Sequence, residues 1–383
     1  MASDIVDEDW NDDLAGEVTA KGVDSLVVYS RDWTVDTILR QVEQGNIDLN
    51  PQFQRRNAWT DAKRSKLIES LIIGVPVPEI VLAEDITRKK SFIVIDGKQR
   101  LLALAGFADN QVYKSWEKPV LRDLKTRPDL NDQSVDDLRS SVDDYRQLMN
   151  ADIRCTVISN YQSSDVLYDI FYRLNTGSVP LSSQELRQVL KRGPFSDFLI
   201  SATNTPLPLH EVLRLKGPDK RLRDAEIVLR YIAISICGSS YKGSLTPFLD
   251  GAAELINGSW KLMESAVLAH FDAMNVATSA LIDKFGKRVG RKALATGWES
   301  RFNRALFEVQ VYYFALIPSD VMAKVDADTV QQAFASFCSG SSEFRDAIET
   351  TTKNPRRYRK RYELFQEFVN ALFGTSINSV PVP

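Results

Sequence analysis

Cysteine and histidine are scarce in this chain of 383 residues: three of the former, two of the latter. Cys155, Cys237 and Cys338 are isolated and odd in number, so the spacing supports neither a disulfide framework nor a zinc site. No segment reads as long enough to cross a membrane. The first twenty residues are acidic and lack the apolar core of a secretory signal, so a reduced cytoplasm is the expected compartment and no membrane partner is expected. Tandem repeats are absent, and no extended Pro/Gly/Ser linker marks a boundary. What is present is apolar content of 44%, enough for large cores and for two or three domains.

Charge is unevenly placed. Asp4, Asp7, Glu8, Asp9, Asp12, Asp13 and Glu17 fall before the first lysine, and without them the formal charge of −3 becomes positive. Residues 1–22 read as a solvated, disordered acidic arm, or else as an autoinhibitory arm that imitates nucleic acid over a basic groove.

The most informative stretch is Phe92-Ile93-Val94-Ile95-Asp96-Gly97-Lys98-Gln99-Arg100. Four apolar, mostly β-branched residues read as a buried strand, and Leu101, Leu102, Leu104, Ala105 and Phe107 follow at helical spacing. Asp96-Gly97 therefore predicts a strand-to-helix corner. A helix start presents unpaired N–H groups and partial positive charge, to which Lys98, Gln99 and Arg100 add donors, so an anion such as phosphate is the natural ligand. The plainer reading makes Asp96 a helix cap and Arg100 a surface cation.

Upstream, Leu49 to Trp59 gathers amides, Arg55, Arg56 and two aromatics without a clear period, as a shaped loop would. Thr60 predicts the cap of a helix stopped by Gly74. Val75-Pro76-Val77-Pro78 reads as extended, and Ile80–Leu82 as a strand. Ile153–Ile158 predicts another strand, whereas Lys114–Asn150 is charged and poor in pattern. Ser164 predicts the start of a helix ending near Gly177. From Gly217 onward the chain reads as helical, with Ala225–Ile236, Trp260–Phe271, Arg301–Leu316 and Tyr362–Phe373 as clear segments.

Five segments in fixed order resemble the N-terminal domain of GmrSD-type restriction enzymes. They are Pro51-Gln52-Phe53-Gln54-Arg55 to Trp59, Gly74 to Pro78, Asp96 to Leu101, Phe171 to Gly177 with Pro180 to Leu186, and Arg221 to Glu226 with Leu229-Arg230. Lys98 departs from the family's usual Asp-Gly-Gln-Gln-Arg. The resemblance implies an α+β chain: a ParB/sulfiredoxin-like α/β domain over residues 23–190, followed by a mostly helical domain over 191–383. It also implies nucleotide binding or hydrolysis at the corner and a role in prokaryotic defence against foreign or modified DNA. Related defence proteins add an HNH nuclease that needs histidine; His210 and His270 stand far apart and in no such motif, so a separate nuclease subunit is the expected partner.

On this reading Asp96, Arg100 and Arg55 are the catalytic candidates, and Gln54, Gly97, Lys98, Gln99 and Asn175 bind a nucleoside triphosphate. Asn175 and Glu185 would offer oxygens to a magnesium ion, although Ser182-Ser183-Gln184-Glu185 equally matches a helix capping box. Arg288, Arg291, Arg356, Arg357, Arg359 and Lys360 are candidate contacts to DNA phosphates, with Tyr358 or Tyr362 stacking on a base, or else they are solvated helix faces. For Arg221, Arg223 and Arg230 the plainer role is pairing with Asp224 and Glu226. Three functions remain open: a triphosphatase acting with DNA, a non-hydrolysing nucleotide switch that recruits a nuclease, and a metal-dependent nickase. A homo-oligomer is compatible with each.

Overall fold

The computed structural model describes residues 25–47, 49, 59–86, 88–109, 116, 118–162, 166–167, 170, 182–219, 221–294, 296–349 and 354–383. These build two compact units, one ending at Leu190 and the other beginning at Lys191.

The first unit runs β1 (Val27–Thr34), α1 (Val35–Glu43), α2 (Asp61–Ile72), β2 (Ile80–Glu84), β3 (Phe92–Asp96), α3 (Lys98–Ala108), α4 (Val135–Ser140), α5 (Val142–Asn150), β4 (Asp152–Ser159) and α6 (Ser183–Leu190). Its mixed sheet has the order β1-β4-β2-β3. β4 lies antiparallel to β1 and parallel to β2, and β2 pairs antiparallel with β3. Thr60 caps α2 by accepting from Lys63 N, as its position predicts. Gly74, at φ 74°, takes the left-handed turn just beyond the helix, a conformation that glycine adopts without a Cβ clash.

Alternation along the strands divides two apolar layers. Ile80, Leu82, Phe92, Val94, Ile153, Cys155 and Val157 pack with the side chains of α1, α2 and α3. Val81, Ala83, Ile93, Ile95 and Ile158 pack on the opposite face with Tyr161 and Leu186. β3, although at the sheet edge, is covered on both faces, which explains why it reads as a continuous apolar run.

α4 and α5 occupy part of the stretch that looked patternless. They are short and mostly exposed: each buries one leucine fully, Leu138 or Leu148, so an apolar stripe never develops. Local charge supports them instead, through Arg139–Asp136 and Arg146–Asp143 pairs three residues apart and a Ser134–Asp137 capping box.

The second unit contains α7 (Pro194–Thr203), α8 (Pro208–Val212), α9 (Arg223–Cys237), α10 (Leu245–Gly258), α11 (Trp260–Phe285), a small hairpin of β5 (Ala293–Leu294) and β6 (Gly297–Trp298), α12 (Arg304–Phe314), α13 (Ser319–Ala323), α14 (Ala327–Gly340), α15 (Ser342–Glu349) and α16 (Pro355–Phe373). One apolar cluster joins side chains from α7 to α16. Inside it lies an ionic network. Glu308 of α12 accepts from Arg230 of α9 at 3.0 Å and from Arg361 of α16 at 2.9 Å, and Arg230 also pairs with Glu226 at 2.7 Å. Tyr358 Oη donates to the same Glu308 carboxylate. Through Glu308, the guanidinium groups of Arg230 and Arg361 tie α9, α12 and α16 together.

α11 exceeds its expected length because Met274, Ala277, Thr278, Leu281 and Phe285 continue its buried face at helical spacing. An 18-residue window within Trp260–Arg288 has mean hydropathy 1.2, so the helix is long and apolar enough to cross a membrane by those two criteria alone. This amends the sequence expectation, whose search for an uncharged apolar run passes over a helix that is interrupted by Asp272 and Asp283.

Candidate functional site

The predicted corner forms where β3 meets α3, and the register beside it is irregular. Val81 faces Asp96 but Leu82 faces Val94, so β3 carries one extra residue just before the turn. Such a bulge breaks strict alternation and re-aims the side chain that follows it. Asp96 is turned toward α3, where its Oδ2 accepts from Arg100 Nη2 at 2.9 Å. The same nitrogen donates to the backbone oxygen of Glu79 at 2.7 Å.

Arg100 is consequently no surface cation. Its side chain is 9% exposed against 31% for Asp96, and it ties the end of β3 to the residue preceding β2. Its Nε is buried without a hydrogen-bond partner among the described residues. The plainer reading of Asp96 as cap also gives way: Gly97 holds the cap position at φ 94°, and no side chain caps the helix.

That leaves the start of α3 with first-turn amides, no acidic residue, and the cations Lys98 and Arg100 where the helix dipole favours negative charge. Lys98 and Gln99 are half-buried, and Gln99 Oε1 is buried without a partner among the described residues. The arrangement can receive an anion on backbone N–H groups, with Lys98 beside it and the Asp96 carboxylate oriented at its edge.

Glycine at 97 is required twice over. A Cβ there would lie 3.0 Å from Ile80 Cγ1 and 3.2 Å from Arg100 Nη2, and the left-handed backbone would strain any L-residue. Gly97→Ala should cost roughly 2 kcal/mol, combining left-handed strain with displacement of Ile80 or Arg100. Chemical denaturation of the first unit's transition reads this directly, and a cost near zero would show that the corner tolerates a side chain.

Gln54, Arg55 and Asn175 lie outside the described residues. Glu185 is engaged locally: its Oε2 accepts from Ser182 N at 2.6 Å, while Glu185 N donates to Ser182 Oγ at 3.1 Å. This is the reciprocal capping box, which occupies one oxygen of the proposed magnesium ligand. Among the described residues, no group of three or more His, Cys, Asp or Glu side chains is placed to hold a metal ion. Glu79 was missed in the sequence because its part is played by a backbone carbonyl, which no residue type announces.

The basic candidates separate by burial. Arg291 is 4% exposed and donates to the backbone oxygens of Val289 and Val212, and burial pulls its pKa down to about 10. It does not face DNA, in correction of the sequence reading. Tyr358 and Tyr362 are likewise core residues, 2% and 0% exposed, and cannot stack on a base. They fall on the inner face of α16, which the alternation of arginine and tyrosine concealed. Arg288, Arg356 and Arg359 are exposed, and Arg357 and Lys360 half-buried. Arg288 bonds Gln331, Arg359 pairs with Glu363 at 2.7 Å, and Lys360 with Glu343 at 3.5 Å.

Asp224 pairs with His210, and Arg223 with Asp219 at 2.8 Å. His210 Nδ1 accepts from Leu207 N, so the other ring nitrogen donates to Asp224 Oδ2 at 3.0 Å. This buried histidine serves the fold.

No curated protein and no solved structure matches the chain. Residues 35–190 match the family model of the GmrSD restriction endonuclease, N-terminal domain, and the unit that carries the Asp96–Arg100 corner resembles that domain.

Proposed function

We propose that the first unit binds and hydrolyses a nucleoside triphosphate at the Asp96–Arg100 corner, and that the chain thereby regulates restriction of foreign or modified DNA in phage defence. The observation that carries the reading is the start of α3, a glycine-capped helix end with cations in its first turn and no acidic residue. The match of residues 35–190 to a restriction endonuclease N-terminal domain supports the DNA-directed role.

In this mechanism the amides of Lys98 and Gln99 and the Lys98 ammonium hold phosphate oxygens and stabilise charge that develops on them. Arg100 holds Asp96 in place, and Asp96 orients water or would offer a carboxylate oxygen to a magnesium ion. Magnesium commonly needs only one or two carboxylates beside substrate phosphates and water, so the corner suits it, and the ion would neutralise the departing phosphate. Arg55, Gln54 and Asn175 are assigned to the nucleotide's phosphates. Arg288, Arg356, Arg357, Arg359 and Lys360 contact DNA phosphates without reading sequence. Cutting belongs to a separate nuclease subunit.

Phosphate release from ATP, GTP, CTP and UTP with magnesium, with and without DNA, tests the proposal. The expected result is turnover that Asp96→Ala abolishes and DNA stimulates. Tight binding without turnover would move the reading to a nucleotide switch, and failure of folded wild-type protein to bind or turn over any nucleotide would overturn it.

A further inference from the structure

We propose that the exposed face of α11 pairs with the same helix of a second copy, in antiparallel orientation. This goes beyond the nucleotide reading and stands independently of it. The helix has 26 residues, yet only 28% of its most apolar window is buried. Leu262 is 88% exposed, Val276 64% and Leu268 42%. An apolar helix is ordinarily covered, and a continuous exposed apolar face marks an interaction site.

The pattern of that face specifies the occupant. Leu262, Ala266, Ala269, Ala273, Val276 and Ala280 recur at alternating spacings of four and three, the seam of a two-helix coiled coil. Each of the six is exposed or half-buried. In an antiparallel pair with its twofold axis midway between Ala269 and Ala273, Leu262 meets Ala280, Val276 meets Ala266, and Ala269 meets Ala273. Every layer then sets large against small or small against small, which permits close approach along its length. A parallel pair would set Leu262 on Leu262 and leave the alanines apart. Beside the seam, a groove of about 560 Å³ lined by Ala273, Val276, Ala280, Phe314 and Met322 gives the partner helix a second wall.

Size and charge agree. Leu262 to Ala280 spans about 27 Å, and helices in contact over that length bury on the order of 1,000 Å² in total, enough for weak, concentration-dependent pairing. A bilayer suits the face poorly, because Asp272 and Asp283 are exposed at its flank. Asp272 lies close to the axis, so two copies bring two carboxylates together at the rim.

Sedimentation equilibrium of the full chain from low micromolar to near-millimolar concentration tests this. The expected result is a monomer–dimer equilibrium, lost in Val276→Glu with melting temperature unchanged and tightened severalfold in Asp272→Asn, which removes the repulsion. A wild-type monomer throughout overturns the proposal, as does a dimer indifferent to both substitutions. Binding of the monomer to phosphatidylcholine vesicles would assign the face to a membrane and overturn it as well.

Discussion

Glu308→Gln is expected to lower the stability of the helical unit by about 3–5 kcal/mol, the usual cost of removing one partner from a buried ion pair. Glu308 is 6% exposed and receives two guanidinium groups and a tyrosine hydroxyl from α9 and α16. Glutamine keeps the shape but loses the charge, so Arg361, 1% exposed, and Arg230, 4% exposed, would remain buried beside one carboxylate fewer. Three helices converge on this carboxylate, so the loss should spread beyond α12. Because the chain has two units, a single unfolding midpoint would blur the effect. Native-state hydrogen exchange of the α12 amides isolates it. Protection should fall a hundredfold or more, and a fall below tenfold, about 1.4 kcal/mol, would show that water reaches the network.

The second large effect concerns Lys98 and Arg100, two residues apart in the motif but different in task. Lys98→Ala should weaken triphosphate binding by tenfold to a hundredfold, from loss of a charge-assisted contact of ~1.5–3 kcal/mol. Arg100→Gln should instead lower turnover while leaving nucleotide affinity closer to wild type. Arg100 Nη2 is committed to Asp96 and the Glu79 carbonyl, so its influence on an anion passes through the carboxylate it orients. Arg100→Lys should restore part of the turnover, since an ammonium can still pair with Asp96. Unchanged affinity in Lys98→Ala would remove it from the phosphate site. A folded Arg100→Gln protein that no longer binds nucleotide would make the guanidinium a direct ligand.

Much of the corner was legible because its determinants are local. A β-branched run, one glycine and a helical period fix a strand, a left-handed turn and a helix within about fifteen residues. The Thr60 cap and the Ser182–Glu185 capping box were legible for the same reason, each being a contact three residues long. The roles of Asp96 and Arg100 were not, because the extra residue in β3 and the carbonyl of Glu79 are properties of strand pairing. The basic cluster of α16 misled for a related reason. Arginine and tyrosine alternate there, and only packing against α9 and α12 decides that Tyr358, Arg361 and Tyr362 turn inward.

Sequence by itself determined the strand-to-helix corner at Asp96-Gly97, the caps at Thr60 and Ser182, and that the chain resembles the GmrSD N-terminal domain. Those features follow from hydrophobic period, capping chemistry and backbone freedom, which act over a few neighbouring residues. Tertiary structure alone decided which charges are buried and paired, which carboxylate is oriented by which arginine, and which apolar helix face is left uncovered. Each of these depends on partners distant in sequence, as when Arg230, Glu308 and Arg361 meet in one core, and burial sets the strength and direction of every charge involved.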